Sequence, residues 1–168
     1  MAHEFLTTYL NDHLAGSQMA MEILDLLHGL DDSAVWLDMK REIDADRQEL
    51  EQLIRSINST PSALRRAAAW TVEKFTELKM RVDDPSTDAG LRRLELIEAL
   101  ALGIDGKHAL WTALQTASQI TPALKSVDYE RLIARAEAQR GVIEVRRLQA
   151  AADALGATAP TRTGSAID

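Results

Sequence analysis

The chain has 168 residues, of which 46% are hydrophobic, enough for one sizeable core and one domain. Aromatic residues make up only 4%, Gly and Pro number 8 and 4, and Leu and Ala dominate the apolar set, so helix-on-helix packing is expected and an all-β or collagen-like chain is excluded. The absence of Cys removes disulfides, thiolate catalysis, iron–sulfur clusters and cysteine zinc sites, and a formal net charge of -7 disfavours non-specific nucleic-acid binding.

The amino-terminal Met-Ala-His-Glu-Phe-Leu has no basic leader followed by an apolar run, so a cytoplasmic location is expected. The longest weakly polar stretches, 94–102 and 63–70, are far shorter than a membrane span and carry Glu or Arg, and no membrane segment is expected. From Gly156 onward the chain turns to Gly, Ala, Thr, Pro and Ser with little apolar periodicity. The expected organisation is a helical bundle over 1–155 followed by a carboxy-terminal tail, 156–168.

Apolar residues at helical spacing divide the bundle into five segments. The first runs from about His3 to Gly29, with Leu6, Tyr9, Leu10, His13, Ser17, Ala20, Met21, Leu24 and Leu27 on one face and Gly29 as the expected C-cap. The second follows Asp32 or Ser33 as N-cap and carries Trp36, Met39, Ile43, Asp46, Leu50, Leu53, Ile54 and Ile57. So short a connection predicts an antiparallel hairpin. Thr60-Pro61 opens a third helix, faced by Leu64, Ala68, Thr71, Phe75, Leu78 and Val82, which at 1.5 Å per residue spans roughly 30 Å and can return the chain along the bundle.

The fourth segment, about Thr87 to Gln119, places Leu91, Leu94, Glu98, Ala101, Asp105, His108 and Thr112 along one line, with Ile97, Ile104, Trp111 and Leu114 beside it. Gly103 and Gly106 lie one turn apart within it; each costs about 1 kcal/mol relative to Ala, so a close helix contact or a kink is expected there. The fifth begins near Ser126 to Asp128 and carries Tyr129, Leu132, Ile133, Ala136, Arg140, Ile143, Arg147 and Ala151 to about Leu155. Two hairpins joined by a crossing helix make an all-α four-helix bundle with one long crossover, in which the second and fourth segments run parallel.

Polar residues that interrupt the apolar stripes are the candidates for function. Asp46 falls between Ile43 and Leu50, Arg140 between Ala136 and Ile143, and His13 between Tyr9 and Ser17, while Asp105 and His108 share a line on the fourth segment. Burying an isolated charge costs several kcal/mol, so these groups are expected to be paired, wetted or displaced to the rim.

One long crossover and two hairpins resembles the ferritin-like superfamily, in which each half supplies a carboxylate from its first helix and a Glu-x-x-His pair from its second. Here Asp46-x-x-Glu49 and Glu137-x-x-Arg140 stand in the places of those pairs, Gln48 and Gln139 match within them, and His13 and Asp105 fall one hairpin length upstream. Tyr-Leu-Asn-Asp-His-Leu-Ala-Gly at 9–16, with Ala-Leu-Gly-Ile-Asp-Gly-Lys at 101–107, also resembles a group of uncharacterised bacterial ferritin-like proteins. That likeness extends to about Leu155 and names no activity.

The departures from the metal-binding pattern decide the functional expectation. No Glu-x-x-His occurs; Glu49 and Arg140 occupy the histidine places, and Arg stays protonated and cannot ligate a metal. The resemblance therefore implies a degenerate di-metal site without a cofactor, its place taken by a charged network of His13, Asp46, Glu49, Asp105, His108, Glu137 and Arg140, and a non-enzymatic structural or interaction role. The alternative is a carboxylate/His oxidoreductase in which His13, Asp46, Asp105 and Glu137 hold iron or manganese. A third idea, a small apolar ligand inside the bundle, follows only from how bundles behave.

Nucleotide-binding loops and a Gly-x-Ser-x-Gly turn are absent from the sequence. Trp36 and Trp111 are read as core fillers. Trp70 lies off its stripe beside Ala67, Ala68 and Ala69 and is read as a contact in a homodimer or higher homo-oligomer.

Overall fold

Carboxylate caps set the helix starts in the second half of the chain. Asp88 accepts from the backbone N–H of Gly90 at 2.8 Å and of Leu91 at 3.1 Å, and Asp128 accepts from that of Arg131 at 3.1 Å. The computed structural model describes residues 2–57 and 88–156, and every regular element among them is helical. We label the helices α1 (Ala2–Leu30), α2 (Ala34–Ile57), α3 (Ala89–Ser118) and α4 (Tyr129–Leu155); a 3-10 turn, Pro122–Leu124, joins the last two. The predicted crossing helix, Trp70 and the tail beyond Gly156 lie outside the described residues. Among those described, no helix is long and apolar enough to cross a membrane.

The chain folds back at both hairpins, and side chains from opposite ends of the sequence fix the directions. Leu24 and Leu27 near the end of α1, Trp36 and Met39 near the start of α2, and Leu94 and Leu96 near the start of α3 share one apolar cluster with Ile143 and Ala150 of α4. Leu10 of α1, Leu53, Ile54 and Ile57 of α2, Leu110, Trp111 and Leu114 of α3, and Leu124, Tyr129 and Leu132 form a second cluster at the other end. So α2 and α3 run parallel, each antiparallel to its own hairpin partner, as the spacing predicts. All eight residues predicted for the face of α2 are buried, Asp46 among them.

Two expectations about glycine need correction. α1 continues through Gly29 to Leu30, and no described glycine has a positive φ, so Gly29 is not a left-handed cap. The turn is built by Asp31 instead. Its Oδ1 accepts from the Ser33 N–H at 3.2 Å and the Trp36 indole N–H at 2.6 Å, while its Oδ2 pairs with Arg93 of α3 at 2.6 Å. α3 likewise runs unbroken through Gly103 and Gly106, and a Cβ built on either meets no atom of the described residues within 4 Å, so no close contact with a described helix compensates them. Both border a cavity described below. At the far end of α4, a Cβ on Gly156 would stand 2.5 Å from the Ala152 carbonyl oxygen, and only glycine fits there.

Tyr129 closes the other end: its hydroxyl donates to the Leu124 carbonyl at 2.8 Å, tying the 3-10 turn to the first residue of α4. Burial pushes the phenol up to about 12. At the opposite corner, one carboxylate satisfies the indole N–H of a wholly buried Trp36 and a cation of α3. Asp31→Ala is expected to lower the unfolding free energy by about 2 kcal/mol in urea, because the indole donor would lose its acceptor. Asp31→Asn, which keeps an acceptor oxygen, should lose less.

Candidate functional site

Between the two apolar clusters the bundle carries a layer of charge. Asp46, one turn after Ile43 and one before Leu50 on the buried face of α2, is 2% exposed. A carboxylate so placed is tolerated only when paired and hydrogen-bonded, and both its oxygens are engaged. Oδ2 accepts from the Lys107 ammonium of α3 at 2.5 Å, and Oδ1 pairs with the Arg135 guanidinium of α4. Lys107 also donates to the side-chain oxygen of Gln139, whose amide nitrogen donates to Glu42 of α2 at 3.0 Å. Three helices are thus tied at mid-height by Asp46, Lys107, Arg135, Gln139 and Glu42.

Burial is the larger influence on Lys107 and pushes its ammonium below the ordinary lysine range, while Asp46 pulls it back up. Gln139 is 1% exposed and spends both ends of its amide within the layer. The donor and acceptor on one neutral group let it connect a cation to an anion without adding charge.

The residues expected from sequence are dispersed around this layer. Asp46 is at its centre. Glu49 points outward to Arg131 at 2.7 Å. Arg140 pairs with Asp105 at a half-exposed position, and His108 lies 3.4 Å from Glu137, also towards solvent. His13 is half-buried against Tyr9, ring centroids 4.7 Å apart and nearly perpendicular. Asp46 and His13 border one cavity, whereas Asp105 and Glu137 pair elsewhere, and among the described residues no three of His, Asp or Glu come together as a metal-holding group.

A rotation of one residue explains the dispersal. The buried line of α3 passes through Ile97, Leu100, Ile104, Trp111 and Leu114, which sets Lys107 inward and turns Asp105 out. The buried line of α4 passes through Leu132, Ala136, Gln139 and Ile143, which turns Arg140 out. Sequence reasoning missed Lys107, Arg135, Gln139 and Glu42. The signal for Lys107 was present: continuing Ile97, Leu100 and Ile104 at steps of three and four lands on it before reaching Trp111.

A cavity of about 460 Å³ lies between α1, α2 and α3 beside this layer, with Asp46 and Lys107 on one side and His13 on another. Burial pushes His13 below its ordinary value of 6.5, with Asp12 acting in the opposite direction.

Two outcomes follow from the layer and its neighbour. Asp46→Ala should cost about 3–5 kcal/mol, since it takes the carboxylate from both Lys107 and Arg135, whereas Asp46→Leu combined with Lys107→Met and Arg135→Met should recover part of that loss; urea titrations of both variants decide this. For His13, the unfolded chain takes up a proton at higher pH than the native chain, so stability falls as pH drops through 6.5 towards the native value. His13→Gln should flatten the urea midpoint between about pH 7.5 and about pH 5.

No family model, curated protein or solved structure matches the chain.

Proposed function

We propose that the chain is a ferritin-like bundle with a non-enzymatic structural or interaction role, in which a network of fixed charges occupies the middle of the bundle where carboxylates would otherwise gather round metal. The observation that carries this reading is Asp46, buried at mid-height with one oxygen on Lys107 and the other on Arg135. Two cations from two helices give this carboxylate the neutralisation that metal ions supply in a di-metal bundle. The order of the helices supports the same reading: two hairpins with parallel second and third helices need a long return between them, and residues 58–87 supply its length.

A network of this kind ties α2, α3 and α4 at one height and specifies their register, since a slip of one helical turn would leave Asp46 or Lys107 buried without its partner. That is a scaffold's requirement: a fixed outer surface held by a centre with one allowed arrangement. Metal analysis tests it. Protein purified without chelator, then incubated anaerobically with Fe(II) or Mn(II) and desalted, should retain metal at a stoichiometry near zero. Retention of one metal or more per chain, lost on replacing Asp46 or Glu137, would overturn the proposal.

A further inference from the structure

Three glycines border the central cavity, Gly16 on α1 and Gly103 and Gly106 on α3. A glycine inside a helix lowers its stability relative to alanine, and a close approach of two backbones is the usual compensation. Among the described residues there is none, because a Cβ built on any of the three meets no atom of theirs within 4 Å. What the missing side chains leave is space. The resulting volume, about 460 Å³, lies within the range of about 300–1,000 Å³ common to small-molecule sites.

The same wall carries donors without acceptors among the described residues. Trp111 is 1% exposed and lines the cavity, and among the described residues its indole N–H has no hydrogen-bond partner. An indole N–H only donates, and buried donors are ordinarily satisfied. Arg47, on the α2 side of the cavity, reaches Glu51 through Nη2 at 3.3 Å, but among the described residues its buried Nε has no partner. Formal charge on the wall cancels, Asp12 and Asp46 standing against Arg47 and Lys107, and much of the remaining surface is aliphatic, including Ile43, Leu50, Leu102 and Leu110.

Each feature selects a property of the occupant. Cancelled wall charge gives a charged head group no unbalanced counter-ion, so desolvating one would go unrewarded. The unmet donors ask for an acceptor, and the aliphatic walls reward apolar area. We infer that this cavity is a binding site for a small, neutral, largely apolar molecule carrying an acceptor oxygen, with that oxygen taking the Trp111 N–H. The site does not depend on the role given to the Asp46 network.

Prodan, a neutral naphthyl ketone whose fluorescence reports both polarity and hydrogen bonding, is the probe for a titration of the full chain. The expected result is saturable binding at one site per chain with blue-shifted emission. Gly103→Leu and Gly106→Leu should each abolish it while leaving the helical circular dichroism intact, because the open space accepts the added side chain. Trp111→Phe keeps the apolar ring but not the donor, and should weaken Prodan by about fivefold, the worth of one hydrogen bond, while leaving the affinity for anthracene, which has no acceptor, unchanged. Saturable binding that survives both leucine substitutions would place the probe elsewhere and overturn the assignment. So would absence of binding to the unaltered chain, or equal losses of Prodan and anthracene in Trp111→Phe. A leucine variant that lost its helical signal would be replaced by Gly16→Leu, which fills the cavity from the opposite wall and carries the same two outcomes.

Discussion

The buried carboxylate of Asp46 constrains everything at the middle of the bundle. A carboxylate that is 2% exposed must find positive charge or remain protonated, and here it finds two cations on two other helices. Each cation then imposes its own requirement. Lys107, itself drawn out of water, needs a further acceptor and takes Gln139, and Gln139 in turn occupies a buried position on α4 that an aliphatic residue would fill in a plainer bundle. Satisfying one charge has therefore fixed the identity of Lys107, Arg135 and Gln139 and the relative height of α2, α3 and α4.

Apolar packing acts on either side of that layer rather than through it. The cluster containing Trp36, Ile97 and Leu100 closes one end, and the cluster containing Trp111, Leu124 and Tyr129 closes the other. Both ends are pinned by one polar group at the chain reversal: Asp31 at the first, the Tyr129 hydroxyl at the second. Hydrophobic burial supplies most of the driving force but is indifferent to sliding of one helix along another. The end ties and the central layer supply direction and register, which burial alone does not.

How far this was legible in the sequence differs from helix to helix for a physical reason. On α2 the apolar face alternates sharply with charge, and its eight buried residues, Asp46 included, are those the spacing predicts. On α3 apolar and small residues surround the helix, so the spacing is compatible with two neighbouring lines, and the polar one through Asp105 and His108 faces solvent. On α4 the step after Ala136 is three residues, to Gln139, not four, to Arg140, a difference of about 100° around the axis. The need for a cation beside Asp46 was readable from one helix; which cation met it depended on the rotation of two others, which periodicity leaves loose. The helix starts at Asp88 and Asp128 were legible to within a residue or two because an aspartate cap leaves a local signature, whereas Asp31 was not, since its partners include Arg93, far along the chain.

The glycines beside the charged layer pull in a different direction from everything else in the fold. Gly16, Gly103 and Gly106 each weaken the helix that holds them and gain no contact with the described residues in return. Alanine at any of the three would fit the open space, raise helix propensity and narrow the cavity, so stability alone favours its presence. Both oxygens of Asp46 are engaged, while among the described residues the Trp111 N–H has no partner, so two tasks are separated on adjoining parts of the bundle: the charged layer holds the helices, and the glycine-lined wall keeps room between them. Stability lost where packing is easiest is the physical mark of a position whose use lies outside the fold.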